Sequence, residues 1–202
     1  NRMSKLETIT IDTPSGSNTM QIGSTNTATI NLGVSGDTIN VPAGVTIANA
    51  GTATGFGETN TPAWFVRYNG EQNLSDYTTT KVTWNVEELD TNSAFASDKF
   101  TVPSGGAGKY IIFTSLQMKG DNNDRLIKTD LHIYKNGSSV AYAHDDFRSD
   151  NSRQATRMIQ TIQTLAESDY IEVYTAVDIS AGTPYYEGNN NRALFGGFRI
   201  AT

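Results

Sequence analysis

The chain changes its pattern of apolar and polar residues near residue 56. Before that point, short apolar pairs at i and i+2 recur at intervals of about ten residues, usually with Thr or Asn between the two members. After Thr61, longer runs alternate apolar and polar residues and end at turn residues such as Asn69-Gly70. Both patterns have the period of two that is typical of β-strands, because successive side chains of a strand point to opposite faces. The apolar pairs are Ile9/Ile11, Met20/Ile22, Ile30/Leu32, Ile39/Val41 and Val45/Ile47.

Residues 1–55 have too few large side chains to bury a core of their own. More than half of the first 60 residues are Thr, Gly, Asn or Ser, and Phe56 is the one aromatic residue among them. A repeat that cannot close a core alone indicates stacking, either along a solenoid or between identical chains. A Thr/Gly-rich linker is the alternative interpretation. We predict a repetitive β-stalk or extended trimerisation segment over residues 1–55 and a hinge over residues 56–61.

Residues 62–202 hold all the other aromatic side chains and predict a globular all-β domain. Many short strands with little helical periodicity are typical of a sandwich or jelly roll. The strongest hairpin signal, Asn136-Gly137, falls between residues 131–135 and residues 140–144. Residues 157–165 space three apolar side chains as a helix could, but their threonines and the neighbouring strands favour a strand. The predicted strands are 62–68, 81–86, 110–118, 131–135, 140–144, 157–165, 170–177 and 194–200.

Charge and composition exclude several classes of function. The formal net charge is −6 and the isoelectric point is about 4.8, which disfavours non-specific binding to nucleic acid phosphates. Cysteine is absent, so disulfide scaffolds, thiolate zinc sites and cysteine nucleophiles are excluded together. No apolar run approaches the roughly 20 residues of a membrane-spanning helix. The chain begins at Asn1 without a signal peptide, and we expect it to be a fragment of a longer protein.

Catalytic motifs are not found in the sequence. The two histidines, His132 and His144, have no zinc-binding spacing, and no Gly-x-Ser-x-Gly nucleophile elbow occurs. Ser104–Lys109 departs from a phosphate-binding loop, because Tyr110 replaces the required Ser or Thr. We therefore predict that the chain is not an enzyme. Paired carboxylates of a glycosidase need no local motif, so glycan cleavage stays as a third hypothesis.

Aromatic and glycine residues at set spacings link residues 62–202 to a known family. The spacings from Trp84 to Asp90 and from Asp90 to Phe95 match its pattern, and so does the order of the later motifs. Those motifs are Phe100, Gly108-Lys-Tyr110, Phe113, Ala166–Val173 and the ending Phe195-Gly-Gly-Phe-Arg-Ile200. Residues 62–202 resemble the C1q-like globular domain, of the same clan as the tumour necrosis factor ligands. The resemblance implies an all-β jelly-roll sandwich that forms three-fold trimers through aromatic-rich faces.

The resemblance also implies residues for the trimer contact. The candidates are Tyr110, Phe113, Phe195 and Phe198. The alternative for each is a place in the core of the single chain. A closed trimer would let each weak stalk repeat bury its apolar pair against neighbouring chains. Residues 37–45 resemble stalk sequence of bacteriophage tail-fibre and appendage proteins.

Polar loops supply the remaining candidate sites. The carboxylates Asp121, Asp124, Asp145 and Asp146 are of the type that binds hard cations, and some C1q-like domains hold Ca²⁺; solvated acidic turns are the alternative. The loop over residues 183–192 joins adjacent tyrosines to Asn and Arg, a composition suited to recognition and to stacking on sugars, with a hydrated loop as its alternative. The predicted receptor-binding residues are Arg148, Tyr185, Tyr186, Asn190 and Arg192.

Together these features predict a structural and binding protein. The leading hypothesis is the distal part of a homotrimeric bacteriophage fibre or appendage on the virion surface. Its head would adhere to a glycan or protein of the host surface, its stalk would join other virion proteins, and it would contact neither nucleic acid nor the membrane interior. The alternative is a bacterial surface or secreted C1q-like adhesin that binds a protein receptor.

Overall fold

The computed structural model describes Ser35 and residues 37–45 and 60–201. The chain divides into two units, Asn1–Thr54 and Gly55–Thr202. All β-strands of the described residues lie in the second unit. That unit is the part of the chain in which the sequence concentrates aromatic side chains.

The described part of the first unit is a short exposed stretch. Ile39, Val41 and Val45 are 63%, 41% and 59% exposed, and no strand occurs within residues 37–45. A turn closes where the Val45 N–H donates to the Pro42 carbonyl at 3.2 Å. The pair Ile39/Val41 is therefore not buried within the single chain. The other apolar pairs of the predicted stalk include residues outside those that the structure describes.

The second unit is built from thirteen strands in its described part. Apart from one 3₁₀ turn at Asn189–Asn191, the described residues contain no helix, which confirms the all-β prediction for them. The strands are β1 Ala63–Arg67, β2 Glu71–Asn73, β3 Thr80–Lys81, β4 Val86–Asp90, β5 Phe95–Ala96, β6 Lys99–Thr101, β7 Gly108–Lys119, β8 Leu126–Lys135, β9 Ser138–Asp146, β10 Gln154–Leu165, β11 Tyr170–Ile179, β12 Tyr185–Glu187 and β13 Ala193–Ala201.

The strands form two antiparallel sheets. The front sheet has seven strands, in the order β2-β12-β7-β13-β1-β4, with β10 on the free edge of β7. The back sheet has six strands, in the order β5-β6-β11-β8-β9, with β3 beside β11. Strands β7 and β10 are each 12 residues long and pair along their whole length. The predicted strand at residues 157–165 is thereby confirmed, and it begins earlier, at Gln154.

The predicted strand at residues 81–86 is wrong as a single element. Strand β3 belongs to the back sheet, whereas Val86 begins β4 in the front sheet. Between them the chain crosses from one sheet to the other, and the Trp84 N–H donates to the Asp98 carboxylate at 2.7 Å. Val82 is buried and Trp84 packs against the core. The alternating pattern therefore continues through a change of sheet, because both side chains face the core from the crossing segment.

Aromatic rings from both sheets meet at the centre of the core. Trp64 of β1 is 1% exposed and stacks on Phe100 of β6 with the ring centroids 3.8 Å apart. Phe195 of β13 meets the Trp64 ring edge-on at 5.5 Å. A Cβ on Gly197 would lie 2.7 Å from the Ile111 carbonyl oxygen and 2.8 Å from Cζ2 of Trp64. Glycine is thus required where the indole ring lies against β13.

The Asn136-Gly137 turn joins β8 to β9 as the sequence predicts. The two residues have φ values of 51° and 80°, the left-handed pair that a two-residue type I′ turn needs. The Asn136 side chain donates to the Asp169 carboxylate at 2.6 Å and accepts from the Tyr170 N–H at 2.8 Å. The hairpin is therefore fixed to the start of β11.

Candidate functional site

The outer face of the front sheet carries apolar side chains that the single chain leaves uncovered. Ile112 of β7 is fully buried in the core, so its neighbours Ile111 and Phe113 point to the outer face. Strand β10 adds Met158 and Ile162, which are 71% and 61% exposed. Large apolar side chains on the two longest strands of the sheet thus face away from the core.

The same surface continues across the other strands of the sheet. Phe198 of β13 lies opposite Ile111, and Leu89 of β4, which is 46% exposed, lies opposite Phe65 of β1. Side chains directly opposite each other on one face of a sheet are in contact range. We call this surface the apolar face; its members are Phe65, Leu89, Ile111, Phe113, Met158, Ile162, Leu194 and Phe198.

Gly196 allows the rings of the apolar face to meet above β13. A Cβ at this position would lie 2.7 Å from Cζ of Phe113 and 3.1 Å from Cδ2 of Phe65. The two rings approach with their centroids 6.3 Å apart. The Gly196-Gly197 pair therefore leaves room for rings on both sides of β13. Gly196 makes room for two phenylalanine rings on the outer face, and Gly197 makes room for Trp64 in the core.

Polar groups border the apolar face. Arg67 forms an ion pair with Glu88 and donates to the Asn191 side-chain oxygen at 2.6 Å. A shallow depression of about 330 Å³ is lined by Ile111, Gln160, Thr161 and Ile162. An apolar centre with a polar border is typical of protein–protein interfaces.

The four predicted trimer-contact residues divide between this face and the core. Phe113 and Phe198 are half-buried members of the apolar face. Tyr110 and Phe195 are fully buried in the single chain. The prediction that Tyr110 and Phe195 contact a second chain is therefore corrected. Both are core residues, the alternative given for them above, because their side chains point to the buried face of β7 and β13.

The predicted receptor-binding residues around β12 have different surroundings. Tyr185 is half-buried, and Asn190 is exposed in the 3₁₀ turn with a φ of 58°. Tyr186 is fully buried, and its hydroxyl accepts from the Thr83 N–H at 3.0 Å. Burial raises the pKa of the Tyr186 hydroxyl to about 12. Tyr186 is therefore corrected to a core residue, whereas Tyr185 and Asn190 stay available to a ligand.

Arg192, the fourth predicted binding residue near β12, belongs to a cluster of three charged side chains. Its guanidinium lies 2.7 Å from Glu187, which also forms an ion pair with Lys119. The hydrogen bond from Lys119 is the main reason that the pKa of Glu187 is lowered; the Arg192 contact acts in the same direction. Lys119 lies 5.9 Å from the ring centroid of Tyr185. Arg192 is thus engaged within the chain.

Arg148 lies apart from that loop, between β9 and β10. Its guanidinium pairs with Asp146 at 2.7 Å. This hydrogen-bonded contact raises the pKa of Arg148 and lowers that of Asp146. The structure thus does not unite the five predicted receptor-binding residues in one surface.

The predicted metal ligands are likewise dispersed. Asp121 pairs with Arg125 at 3.0 Å, Asp145 pairs with Arg157, and Asp124 lies in the turn after β7 with a φ of 56°. Among residues 37–45 and 60–201, no group of three or more His, Cys, Asp or Glu side chains is arranged to hold a metal ion. The four carboxylates therefore do not form one Ca²⁺ site.

A second surface, on the outer face of the back sheet, is missing from the sequence predictions. It consists of the rings of His132, Tyr134, Tyr142, His144 and Tyr174, and we call it the ring cluster. The centroids of His132 and Tyr142 are 4.5 Å apart, and those of Tyr134 and Tyr174 are 4.4 Å apart. His132 and Tyr134 meet edge-on at 5.7 Å. The rings thus form one continuous layer over three strands.

Two carboxylates lie beneath these rings. Asp130, which is 8% exposed, accepts a hydrogen bond from the Tyr142 hydroxyl at 2.8 Å and lies 2.6 Å from Nδ1 of His144. Glu172, also 8% exposed, accepts from the Tyr174 hydroxyl at 3.4 Å. Desolvation and the hydrogen bond to Asp130 raise the pKa of the Tyr142 hydroxyl to about 12. The Tyr142 phenol therefore stays protonated at neutral pH, and its hydrogen bond to Asp130 fixes its orientation.

The two antiparallel sheets form an all-β jelly-roll sandwich, which confirms the predicted fold class. Two crystal structures of murine APRIL, at pH 5.0 and pH 8.0, are similar to the chain with TM-scores of 0.50. Their sequences are 10% and 11% identical to this one, and each match covers 68% of this chain and 98% of the APRIL chain in the crystal. The globular domain of zebrafish complement 1qA matches with 20% identity and a TM-score of 0.49, over 69% of this chain and 98% of that domain.

Sequence comparisons add no family to this likeness. No known family profile matches the chain, and no curated protein sequence matches it. Within the described residues, no helix has both the length and the apolar character needed to cross a membrane. The fold is thus shown by structure rather than by sequence similarity.

Proposed function

We propose that the chain is a binding protein that acts as a homotrimer joined through the apolar face. The observation that carries this proposal is the exposure of that face in the single chain. Met158 and Ile162 of β10 are mostly exposed, and the phenylalanines of the neighbouring strands are half-buried. Contiguous apolar surface of this kind on a soluble domain marks an interaction site. The polar border supplied by Arg67 and Glu88 fits the same role.

Three copies of this chain are the occupant that fits the apolar face best. The C1q-like resemblance of residues 62–202 implies three-fold association through aromatic-rich faces. The Thr- and Gly-rich sequence of residues 1–55 supports the same symmetry, because parallel chains would let each isolated apolar pair meet its counterpart. Both parts of the sequence therefore favour one oligomer.

We infer that this trimer is the distal part of a bacteriophage fibre or appendage, with residues 1–55 as its stalk. The likeness of residues 37–45 to phage stalk sequence supports the placement on a virion. The head would then bind a host-surface glycan or protein outside the cell. Three equal sites on one rigid head raise the apparent affinity by about 10²-fold or more over one site. The mechanism is multivalent adhesion rather than catalysis.

The oligomeric state of the full chain tests the proposal. Light scattering with size-exclusion chromatography should give three times the chain mass of 21.9 kDa. The Ile162→Lys variant removes an apolar side chain from each contact, a loss of about 2 kcal/mol, which corresponds to about 30-fold weaker association per contact. Asn123→Lys adds the same charge at an exposed loop position and should leave the trimer intact. A monomeric wild-type chain at micromolar concentration would refute the proposal.

Adhesion is tested separately with labelled full-length chain on a panel of bacterial cells. Binding that falls by about 10²-fold in Ile162→Lys, and is unchanged in Asn123→Lys, is the expected result of lost multivalency. Equal binding by the trimer and by the dissociated variant would contradict the multivalent mechanism. Absence of binding to every tested host would contradict the adhesive role for those hosts without affecting the trimer result.

A further inference from the structure

We propose that the ring cluster of the back sheet is a binding site for a saccharide without acidic groups. This inference rests on the proposed adhesive function, since it places the receptor contact of the head. The site differs from the loop residues predicted from the sequence, because its members come from three neighbouring strands. The ligand class follows from three features: the chemistry of the rings, the contacts that hold the rings in place, and the charges around them.

The rings combine aromatic surface with polar edges. Both histidines of the chain lie in the cluster, beside three tyrosines. Tyr142 is 53% exposed, His132 is half-buried beside it, and Tyr134 is half-buried beside His132. Tyrosine and histidine present an apolar body together with a polar tip. A sugar ring is complementary to this surface, since its C–H groups pack on aromatic carbon while its hydroxyls bond to phenol and imidazole.

The cluster is held in place before any ligand arrives. The Tyr142 ring is fixed by stacking on His132 and by its hydrogen bond to the buried Asp130. His132 is also 3.0 Å from the Ser139 hydroxyl, and its burial lowers the pKa of the imidazole. A surface that is already ordered loses little side-chain entropy on binding. The lowered pKa keeps the His132 imidazole uncharged at neutral pH, so that it offers hydrogen bonds without charge.

The charges around the cluster favour a ligand that is not anionic. Two lysines on the same outer face are both paired with carboxylates, Lys81 with Glu172 at 2.7 Å and Lys128 with Asp178 at 3.6 Å. The chain as a whole carries a net charge of −6. Sulfated, sialylated or uronic saccharides would therefore meet net repulsion, whereas neutral or amino sugars would not.

The position of the ring cluster is compatible with the trimer. The apolar face lies on the outer side of the front sheet, and the ring cluster lies on the outer side of the back sheet. The two surfaces are thus separated by the core of the sandwich. Covering the apolar face with a second copy leaves the other sheet's outer face accessible to a receptor.

Glycan-array binding by the full-length chain tests the site. The array carries neutral, amino and acidic oligosaccharides, together with a peptide rich in Arg and Lys. We expect binding to neutral or amino saccharides that falls by about tenfold or more in Tyr142→Ala. Tyr142→Phe keeps the ring and loses the hydroxyl, so it should bind with intermediate strength. The matched control is Tyr185→Ala, which removes a tyrosine of the predicted loop and should change binding by less than about twofold.

The other outcomes overturn the inference. Loss of binding in Tyr185→Ala, unchanged binding in Tyr142→Ala, or binding only to acidic saccharides or to the basic peptide would each do so. Light scattering and circular dichroism on every variant show whether the fold and the trimer persist. A wild-type trimer that binds no saccharide refutes the ring-cluster site and leaves self-association standing. A wild-type monomer refutes the proposed function instead.

Discussion

Gly197 is the position where the structure makes the sharpest prediction about stability. An alanine there would place its Cβ against the Trp64 ring, with Cη2 nearest, and 2.7 Å from the Ile111 carbonyl oxygen. The Trp64 ring is confined, because Phe100 stacks on it at 3.8 Å and Phe195 meets it edge-on at 5.5 Å. The backbone carbonyl belongs to the neighbouring strand β7 and is held in the sheet. Gly197→Ala therefore forces a rearrangement at the centre of the core.

The expected cost follows from that geometry. Overpacking of a tight core costs typically about 1–3 kcal/mol, and this site belongs at the upper end, about 3 kcal/mol. Replacing Gly by Ala also restricts the unfolded chain, which returns about 0.7 kcal/mol. The net loss is about 2 kcal/mol of unfolding free energy. For a domain of this size it lowers the melting temperature by about 6 °C.

Gly196→Ala is the matched control, since it makes the same change on the adjacent residue. Its Cβ would point to the outer face and lie 2.7 Å from the end of the Phe113 ring, which can swing toward solvent. It would also lie 2.9 Å from the Trp64 carbonyl oxygen, a longer approach than the 2.7 Å to a carbonyl oxygen at Gly197. We expect a smaller loss than for Gly197→Ala, about 1 kcal/mol, together with weaker self-association. Urea unfolding at one fixed protein concentration measures both variants. A Gly197→Ala chain within about 0.5 kcal/mol of wild type, or a larger loss for Gly196→Ala, would refute the reasoning.

Two further predictions concern ion pairs. Glu187→Gln leaves Lys119 and Arg192 without their buried partner and should cost about 3 kcal/mol in urea unfolding at pH 7; an effect below about 1 kcal/mol would contradict it. Burial alone would raise the pKa of Asp169, but hydrogen bonds from Asn136, Lys135 and the Ala166 N–H together lower it from 3.8 to about 2. A depressed carboxyl pKa stabilises the fold above pH 3.8, and this contribution is lost as the pH falls toward 2. Asp169→Asn should therefore be less stable at pH 7 and show a flatter stability curve between pH 4 and pH 2; an unchanged slope would contradict this prediction.

The long strands were predictable because they depend on local signals. The alternation at residues 157–165 and the Asn136-Gly137 turn are properties of adjacent residues, and both predictions are confirmed. The break at residues 81–86 was not predictable. An alternating run shows that every second side chain is buried, but it does not show which of two sheets the backbone pairs with.

The aromatic residues were harder to place for a related reason. Tyr110 and Phe113 belong to the same strand, yet one lies in the core and the other on the outer face, because their positions differ in parity. The sequence shows two faces in β7 and β13, both of which carry aromatic rings. Which of the two faces is buried depends on the side that the second sheet covers. The sequence of a single strand does not contain that information.

The ring cluster could not be predicted from the sequence, because it depends on an irregularity in β9. A strict two-residue hairpin that begins with Lys135 opposite Ser138 would place His132 opposite Ala141, and Tyr142 would then point into the core. In the structure, the register shifts by one residue beside Val140, so that His132 lies opposite Tyr142. A bulge of this kind turns every later side chain of the strand to the other face. Because it places a tyrosine and a histidine outside and two alanines inside, the bulge itself is what assembles the surface we propose as the receptor site.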